Sequence, residues 1–275
     1  MSRTRSPRGR GPLSNGLALT VCASALWLLP AAHASTVGTR GATSLLSLSQ
    51  TFSNGDYGLD VDTDLKATVV KWVYRQRDWG FSLSVPYLDI TGPATEIWED
   101  IDTGELFLVD VDDDNREGLG DTVFSVDRVL SHSVAGRPQL KAGVSLKVPT
   151  GDEFKGLGNG EFDLALVGSG RVRRAESVFN VSVGYQLMGD TDDIDYNNRA
   201  FVAAGVFRQL DRRSGVGLRW QYKQASRDER DDLMSVGAFV THRLRPAWTA
   251  AVNLNVGLSD AVADVAFGVQ VSRRF

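Results

Sequence analysis

An alternation of apolar with small or polar residues, repeated along most of this chain, constrains its fold more than any other feature. Every second residue between Trp248 and Leu258 is apolar, and the residues between them are Thr, Ala, Asn or Gly. The same spacing recurs from Leu140 to Val148 and from Val265 to Val271. Because successive side chains of a strand point to opposite faces, each segment has one apolar face and one small or polar face. The pattern therefore predicts β-strands with two unlike faces.

Twelve segments of the chain show this alternation. They lie at about 43–52, 60–74, 79–90, 120–131, 138–148, 160–170, 176–188, 199–209, 214–225, 233–243, 247–258 and 263–275. An even number of strands of about ten to thirteen residues is typical of outer-membrane barrels, whose tilted strands cross an apolar band about 25 Å tall. We therefore predict an all-β fold, a transmembrane antiparallel up-and-down β-barrel of about 12 strands.

The lengths of the connections give an independent test of this barrel. If both ends of the barrel domain face the periplasm, the even-numbered connections are periplasmic and should be short. The predicted periplasmic turns are Arg75–Asp78, Ser131–Arg137, Arg171–Ser177, Leu210–Ser214 and Leu244–Ala247. The outer connections include the longer segments Thr91–Gly120, Pro149–Gly160 and Gly189–Asn198. A soluble sandwich does not predict this sorting. Within the longest connection, residues 105–111 are an additional candidate strand.

Charged and aromatic residues divide between the two predicted rims. Residues 88–121 contain twelve acids and one base, Arg116, so the connection at about 91–120 is a long acidic extracellular loop. Arginines gather instead at the periplasmic turns and the strand ends beside them: Arg75, Arg77, Arg137, Arg171, Arg173, Arg174, Arg212, Arg213, Arg243 and Arg245. Trp72, Tyr74, Trp79 and Trp248 also lie beside these turns, as expected of an interfacial girdle. Trp220 does not fit the girdle.

The first 34 residues have the features of a cleaved signal peptide. Four arginines precede the apolar run Leu17–Leu29, and Ala32-His33-Ala34 supplies a small-x-small cleavage motif. We predict a signal peptide at 1–34 and an outer-membrane barrel domain at 35–275. Lipidation of Cys22 is disfavoured because Val21 is a poor residue before a lipidated cysteine. Cleavage removes four of 30 basic residues and no acid, so the net charge moves from −4 to −8. A chain this acidic is not expected to bind nucleic acid.

The chain ends in an aromatic residue on its last alternating segment. Phe275 occupies an outward position of that segment, which resembles the recognition signal of bacterial outer-membrane barrels. We therefore predict Phe275 as an assembly signal for the barrel-assembly machinery. The other expected partners are outer-membrane lipid, lipopolysaccharide and a small-molecule solute. The predicted localisation is the cell outer membrane of a Gram-negative bacterium.

Three short stretches resemble one family in particular. They are Trp72-Val-Tyr74 followed by Phe81-Ser-Leu-Ser-Val-Pro-Tyr87, then Gly118-Leu-Gly-Asp121, and then Lys147-Val-Pro-Thr-Gly-Asp152. The pattern resembles the outer-membrane transporters of the phenol-degradation meta-pathway family, over about residues 65–275. These stretches mark turns and strand ends rather than catalytic groups. The resemblance implies uptake of aromatic or hydrophobic small molecules.

Polar and charged side chains fall on the predicted inward face of the barrel. The lumen-lining candidates are Lys71, Asp127, Lys141, Lys147, Asp163, Gln186, Arg219, Gln221, Lys223, Asn253 and Asn255. A twelve-stranded barrel has a backbone radius of about 12 Å, so side chains either leave a narrow passage or fill it. Two interpretations stay open. The surplus of Lys and Arg could form a charge ring that favours anionic or polar solutes, or these bases could pair with Asp127 and Asp163 in a plugged core.

Catalysis is disfavoured, and no catalytic residue or cofactor is predicted. Beyond the signal peptide the chain has two histidines, His132 and His242, and both fall at periplasmic strand ends. A barrel lipase needs a Ser–His pair near the outer leaflet, where its substrate lies.

A calcium-binding loop is a weak alternative for part of the acidic connection. Asp110, Asp112 and Asp114 match the first three ligand positions, but Asn115 replaces the turn glycine and Asp121 the bidentate glutamate. A solvated acidic loop is favoured over a calcium site.

The predicted function is an outer-membrane channel for the passive passage of small molecules, including aromatic or hydrophobic compounds. The alternative is a non-conducting barrel with a structural or surface-interaction role.

Overall fold

Twelve antiparallel strands form the wall of a closed barrel in the computed structural model. The structure describes residues 41–57, 62–92, 98–99, 106–108, 115–133, 137–191, 195–228 and 230–275, and the backbone of 19–21. The barrel strands are β1 Thr43–Gly55, β2 Thr63–Gln76, β3 Trp79–Thr91, β4 Thr122–Ser131, β5 Gln139–Val148, β6 Asp163–Arg174, β7 Ser177–Leu187, β8 Arg199–Gln209, β9 Ser214–Lys223, β10 Leu233–Arg245, β11 Trp248–Gly257 and β12 Val265–Arg274. The predicted fold class and strand number are confirmed.

Each strand pairs with its neighbours in sequence, and β12 pairs with β1 to close the sheet. Following paired residues once around the wall from Thr43 shifts the register by about 14 residues. For twelve strands, this stagger corresponds to a tilt of about 40° and a backbone radius of about 12 Å. The barrel is therefore narrow enough for side chains to fill much of its interior.

The two faces of the wall differ as the alternation predicts. On β12, Val265 and Phe267 point outward and are 42% and 44% exposed, whereas Ala266 and Gln270 point inward and are 2% exposed. Apolar residues are exposed in the same way on the outer face of the other barrel strands except β8, whose outward residues are half-buried, and this exposure would be unfavourable in water. Such an outer face is suited to the hydrocarbon core of a membrane. Because the barrel is closed, no strand edge exposes unpaired backbone groups to the lipid.

The connections at one end of the barrel are tight turns. Three of these turns have only two residues: 77–78 between β2 and β3, 175–176 between β6 and β7, and 246–247 between β10 and β11. Arg77 and Ala175 adopt positive φ values of 54° and 50°. β6 continues to Arg174, four residues beyond the predicted end at 170, because its last residues pair with the start of β7. The alternating pattern missed this extension because Arg171, Arg173 and Arg174 are all polar. We call this end the inner end.

The long outer connection is shorter than predicted. Asn115–Leu119 forms a strand that pairs with Tyr87–Thr91 of β3, so the wall continues past the predicted start of β4. Gly120 and Asp121 separate this strand from β4, and the Gly120 N–H donates to the Pro86 carbonyl at 3.1 Å. The alternation did not reveal this segment because residues 115–117 are Asn, Arg and Glu, all of them polar. Within the connection, Leu106–Leu108 is a strand inside the predicted 105–111, and it pairs with Trp98–Glu99 and Leu19–Val21.

Apart from Leu19–Val21, the predicted signal peptide lies outside the described residues, and its boundary at Ala34 stays a prediction. One short 3₁₀ helix, Glu153–Lys155, lies in the β5–β6 connection. No helix in the described part of the chain is long and apolar enough to cross a membrane.

Aromatic side chains mark both edges of the apolar outer face. Trp72, Trp79 and Trp248 point outward near the inner turns and are 37–45% exposed. Tyr87 and Tyr185 point outward near the opposite end and are 43% and 46% exposed. Two such belts are expected at the two water–lipid interfaces of a transmembrane barrel. Trp220 lies on the same face, three residues from the outer end of β9 and away from the inner turns.

Candidate functional site in the barrel interior

All eleven lumen candidates lie on the inward face of the wall, and the structure divides them by depth. Lys147, Asp163, Gln186 and Lys223 lie at the outer ends of their strands, whereas Asp127 and Lys141 lie near the inner end. The other five, Lys71, Arg219, Gln221, Asn253 and Asn255, lie between these levels. The interior thus has an outer network and an inner cluster of charged groups.

Lys147 is the centre of the outer network. Its ammonium group lies 3.2 Å from an Asp121 carboxylate oxygen and 3.3 Å from one of Asp163. It also donates a hydrogen bond to the Asn159 side chain. The side chains of Lys147, Asp121 and Asp163 have no solvent exposure. Burial of three charges is tolerated because each has an opposite charge within hydrogen-bonding distance.

Further hydrogen bonds extend the outer network across two strands. Asp163 accepts from the Gln186 amide at 3.1 Å and from the Gly189 N–H at 3.0 Å. Arg199 donates from Nε to Gln186 Oε1 at 3.2 Å. With Lys147, Asp121 and Asn159, these residues define the outer network. Its two bases and two acids balance in formal charge.

The β5–β6 connection folds inward over this network. The Gly151 N–H donates to Asp121 Oδ1 at 3.0 Å, and Leu157 is 1% exposed. Leu157 belongs to an apolar cluster with Leu88 and Tyr57. Its side chain comes so close to Gly118 that a Cβ atom there would collide with it. The inward connection and the outer network together fill the outer part of the barrel.

A layer of basic and amide side chains, with Arg219, Asn253 and Asn255 in it and Lys223 at its outer edge, lies between the outer network and the inner cluster. Arg219 donates from Nη2 to Asn255 Oδ1 at 2.9 Å, and the Asn255 amide donates to Asn253 at 3.1 Å. Lys223 lies 5.7 Å from the ring centre of Phe201. All four polar side chains are at most 8% exposed. This part of the interior is packed by large polar side chains.

The inner cluster consists of Arg75, Asp127, Lys141 and Arg171. The Asp127 carboxylate lies 3.0 Å from the Lys141 ammonium and 3.5 Å from the Arg75 guanidinium. Side-chain exposures are 29% for Asp127, 14% for Lys141 and 47% for Arg75. Arg171 follows on the next strand, where it pairs in register with Gln139. Unlike the outer network, this cluster contacts water and has three bases for one acid.

The inner cluster depends on two glycines. Gly80 and Gly143 are the cross-strand partners of Asp127 on β3 and β5. A Cβ atom on Gly80 would collide with Asp127 Oδ1, and one on Gly143 would lie 3.2 Å from Asp127 Cβ. Arg75 can therefore reach Asp127 across the bare backbone of Gly80.

The inner wall opposite these groups is aromatic. The rings of Phe207 and Phe239 stack with centroids 6.1 Å apart, and Val178 joins them in a buried cluster. A Cβ atom on Gly215 would collide with Phe207, and one on Gly217 would collide with Phe239. These glycines let the rings lie flat against the wall.

Several residues of the outer network and of the inner cluster were absent from the predicted lumen-lining residues. Arg199 lies within the predicted segment 199–209 and on the same strand face as Phe201, so the alternation itself places it inside. Arg75 and Arg171 were assigned to the periplasmic rim, although the alternation of β2 and β6 turns both inward. Asn159 lies in a connection, and no periodic signal marks it.

The structure corrects one calcium candidate. Asp121 is buried in the ion pair with Lys147 and is not available in the acidic loop. Asp110, Asp112 and Asp114 lie outside the described residues. Within the described ranges, no group of three or more His, Cys, Asp or Glu residues could hold a metal ion.

The two histidines lie at the inner turns. His132 Nε2 is 2.9 Å from Asp78, and His242 Nδ1 is 3.0 Å from the Ser214 hydroxyl. A nearby inner turn contains a carboxylate with a perturbed pKa. The Arg213 and Ser214 N–H groups donate to Asp211 Oδ1 and hold the pKa of Asp211 below its usual value.

The C-terminus completes the closure of the barrel. The Phe275 N–H donates to the Ser44 carbonyl at 2.8 Å, and the Phe275 ring is 61% exposed beside the Arg273 guanidinium. Its role as an assembly signal stays a prediction.

A family model described as "Putative MetA-pathway of phenol degradation" matches residues 36–275. The chain belongs to this family. The resemblance inferred from the sequence is thereby confirmed, and two of its motifs meet in the outer network through Asp121 and Lys147. A comparison with curated proteins found no match.

Solved structures of outer-membrane barrels share the fold. The NanC porin is similar with a TM-score of 0.57 and 9% identity, covering 83% of this chain and 98% of that porin. The translocator domain of autotransporter NalP from Neisseria meningitidis is similar with a TM-score of 0.50 and 12% identity, covering 89% of this chain and 92% of that domain. At these identities the likeness concerns architecture alone.

Proposed function

We propose that this protein is an outer-membrane channel for the passive passage of small molecules, including aromatic compounds. The location is supported by the apolar outer face with its two aromatic belts and by the signal-peptide features of residues 1–34. The aromatic solutes are suggested by the description of the family, which refers to phenol degradation. Lipid, lipopolysaccharide and the barrel-assembly machinery are proposed partners of such a protein.

The observation that carries this proposal is the polar inner face. Charged or amide side chains occupy it from Asp127 near the inner end, through Arg219 and Asn255, to Lys147 near the outer end. A barrel built only as a rigid membrane anchor could fill this space with apolar residues at lower desolvation cost. A polar lumen is what a water-filled path for solutes requires.

Single-channel recording in planar lipid bilayers tests the proposal. Purified, folded protein is expected to produce discrete current steps of small conductance, because the outer part of the interior is tightly packed. Swelling of protein-containing liposomes in phenol, benzoate and sugar solutions would then identify the permeant class. Folded protein that gives neither current steps nor swelling would refute the channel.

A non-conducting structural barrel is the second candidate, and the outer network favours it. Three charged side chains without solvent exposure and an inward connection occupy the outer end of the barrel. In a structural barrel this packing stays closed. The bilayer recording separates the two functions, since a permanently closed barrel gives no steps under any voltage.

We propose no catalytic activity for the barrel. The described histidines lie at the inner turns, in contact with Asp78 and Ser214. An assay of phospholipid hydrolysis by the folded protein would overturn this view if it showed activity above a heat-denatured control.

A further inference from the structure

The inner cluster has an unbalanced charge. Arg75 and Lys141 share the single carboxylate of Asp127. Arg171 makes no ion pair among the described residues, and it lies on the same face of β6 as Ser169, the cross-strand partner of Lys141. Three permanent or protonated bases and one acid give a net charge of about +2 in a partly enclosed space. Such a space attracts an anion to neutralise it.

The surroundings of the cluster do not supply the missing negative charge. Glu176, at the neighbouring inner turn, lies 3.8 Å from Arg208, and Asp78 contacts His132. Next to Arg171 in the register stand Gln139 and Asn180, which are neutral. The excess of positive charge is therefore not cancelled by a described carboxylate at this level of the barrel.

The groups that make up this cluster are suited to a carboxylate. A guanidinium group presents parallel N–H donors that match the two oxygens of a carboxylate. Asp127 already occupies such a position beside Arg75, held against the wall where Gly80 and Gly143 leave room. Arg171 can present the same donor arrangement to a second carboxylate. The cluster is open to water, so a ligand can reach it from the periplasmic side.

The geometry points to a binding site for small organic carboxylates at the inner end of the barrel, formed by Arg75, Lys141 and Arg171. The site deepens the proposed function, on which its role in transport rests: it would hold an anionic solute at the periplasmic mouth. Asp127 limits the affinity, because its own carboxylate competes for the same donors. A weak site of this kind permits both entry and release.

Calorimetric titration of the folded protein in detergent with sodium benzoate at low ionic strength tests the site. Arg171→Met is expected to weaken binding about fivefold to tenfold, since one of three cations is removed. Asp127→Asn is expected to tighten binding by a similar factor, because a competing negative charge is lost. Arg212→Met, at an exposed inner turn, is the matched control and should leave binding unchanged.

Opposite effects of the two variants distinguish the site from a folding defect, which would weaken binding in both. The heat-dependent shift in electrophoretic mobility verifies that each variant is folded. The site is refuted if wild-type protein does not bind benzoate, if Arg171→Met behaves like Arg212→Met, or if Asp127→Asn weakens binding. Tighter binding of inorganic phosphate than of benzoate would overturn the assignment to carboxylates.

The same titration separates this inference from the channel proposal. Benzoate binding by a protein that gives no current steps would refute the channel and support the site. Current steps without benzoate binding would support the channel and refute the site.

Discussion

The two ends of the barrel interior differ in the balance of their formal charges. In the outer network, Lys147 and Arg199 face two carboxylates, and the Lys147 side chain has no exposure. In the inner cluster, three bases face Asp127 alone, and Arg75 is 47% exposed.

Burial explains the difference. A charge withdrawn from water needs a partner, because desolvation costs several kcal/mol per ion. A charge that keeps part of its hydration can remain in excess. The balanced end is therefore suited to holding the structure closed, and the unbalanced end to attracting solutes.

The largest effect is expected when the balance of the outer network is broken. Lys147→Met leaves Asp121 and Asp163 buried without their shared cation, so the free energy of unfolding should fall by about 3–5 kcal/mol. Guanidinium unfolding of the protein in lipid vesicles, followed by tryptophan fluorescence, measures the loss.

Lys66→Met is the matched control for this change. Lys66 pairs with Asp89 at 2.9 Å, but both side chains are exposed, so the loss should stay below about 1 kcal/mol. Similar losses for the two variants would contradict the distinction between buried and exposed pairs.

A smaller effect is expected from loosening the inward β5–β6 connection. Leu157→Ala removes a side chain that is 1% exposed and should cost about 2–4 kcal/mol by leaving a cavity. If this connection narrows the outer end, the single-channel conductance of the variant should also rise. Phe154→Ala, in the same connection but 87% exposed, should change neither quantity. An unchanged conductance in Leu157→Ala would show that the connection does not limit the passage.

The aromatic wall of the inner half offers a third comparison. Gly217→Ala places a methyl group against the Phe239 ring and should destabilise the barrel by about 1–3 kcal/mol through overpacking. Gly168→Ala is its control, since no atom lies within 3.9 Å of the added Cβ. Thermal unfolding in detergent should separate the two alanine variants; equal midpoints would show that the rings can move aside freely.

The smallest effect concerns the turn at Asp211. The pKa of this carboxyl is lowered in the folded state by the Arg213 and Ser214 N–H groups, so its contribution is present above about pH 4 and lost as the pH falls through the folded pKa. The stability difference between wild-type protein and Asp211→Asn should therefore shrink on acidification. Unfolding measured from pH 6 to pH 3 checks the trend, and a difference that grows on acidification would contradict it.

The sequence predicted the wall of the barrel well because the wall has a period. Apolar residues must recur at every second position to face lipid, and this rule located all twelve strands. It failed where polar residues continue a strand, as at Arg171–Arg174 and at Asn115–Leu119. In both places backbone pairing, rather than contact with lipid, holds the strand.

The candidate site was predictable only in part. The alternation placed Lys147, Asp163 and Asp127 inside, but it could not say which of them share a partner. The ion pair between Lys147 and Asp121 depends on the register of β4 and β5 and on the interruption of the strand at Gly120. Asn159, which accepts a hydrogen bond from Lys147, comes from the β5–β6 connection. Contacts of this kind arise from closure of the barrel, which no local pattern specifies.

Cysteine accessibility tests the contrast between the two ends most directly, because Cys22 in the predicted signal peptide is the sole cysteine of the sequence. Ser169→Cys places a thiol on the inner half, beside Lys141 in the register, and Ser235→Cys places one where the serine is 3% exposed, beside Gln221 in the register. The folded variants are treated with an anionic and a cationic methanethiosulfonate reagent. The account predicts that Ser169→Cys reacts at least about tenfold faster, with a preference for the anionic reagent. Equal rates at both positions, or a preference for the cationic reagent at Ser169→Cys, would contradict it.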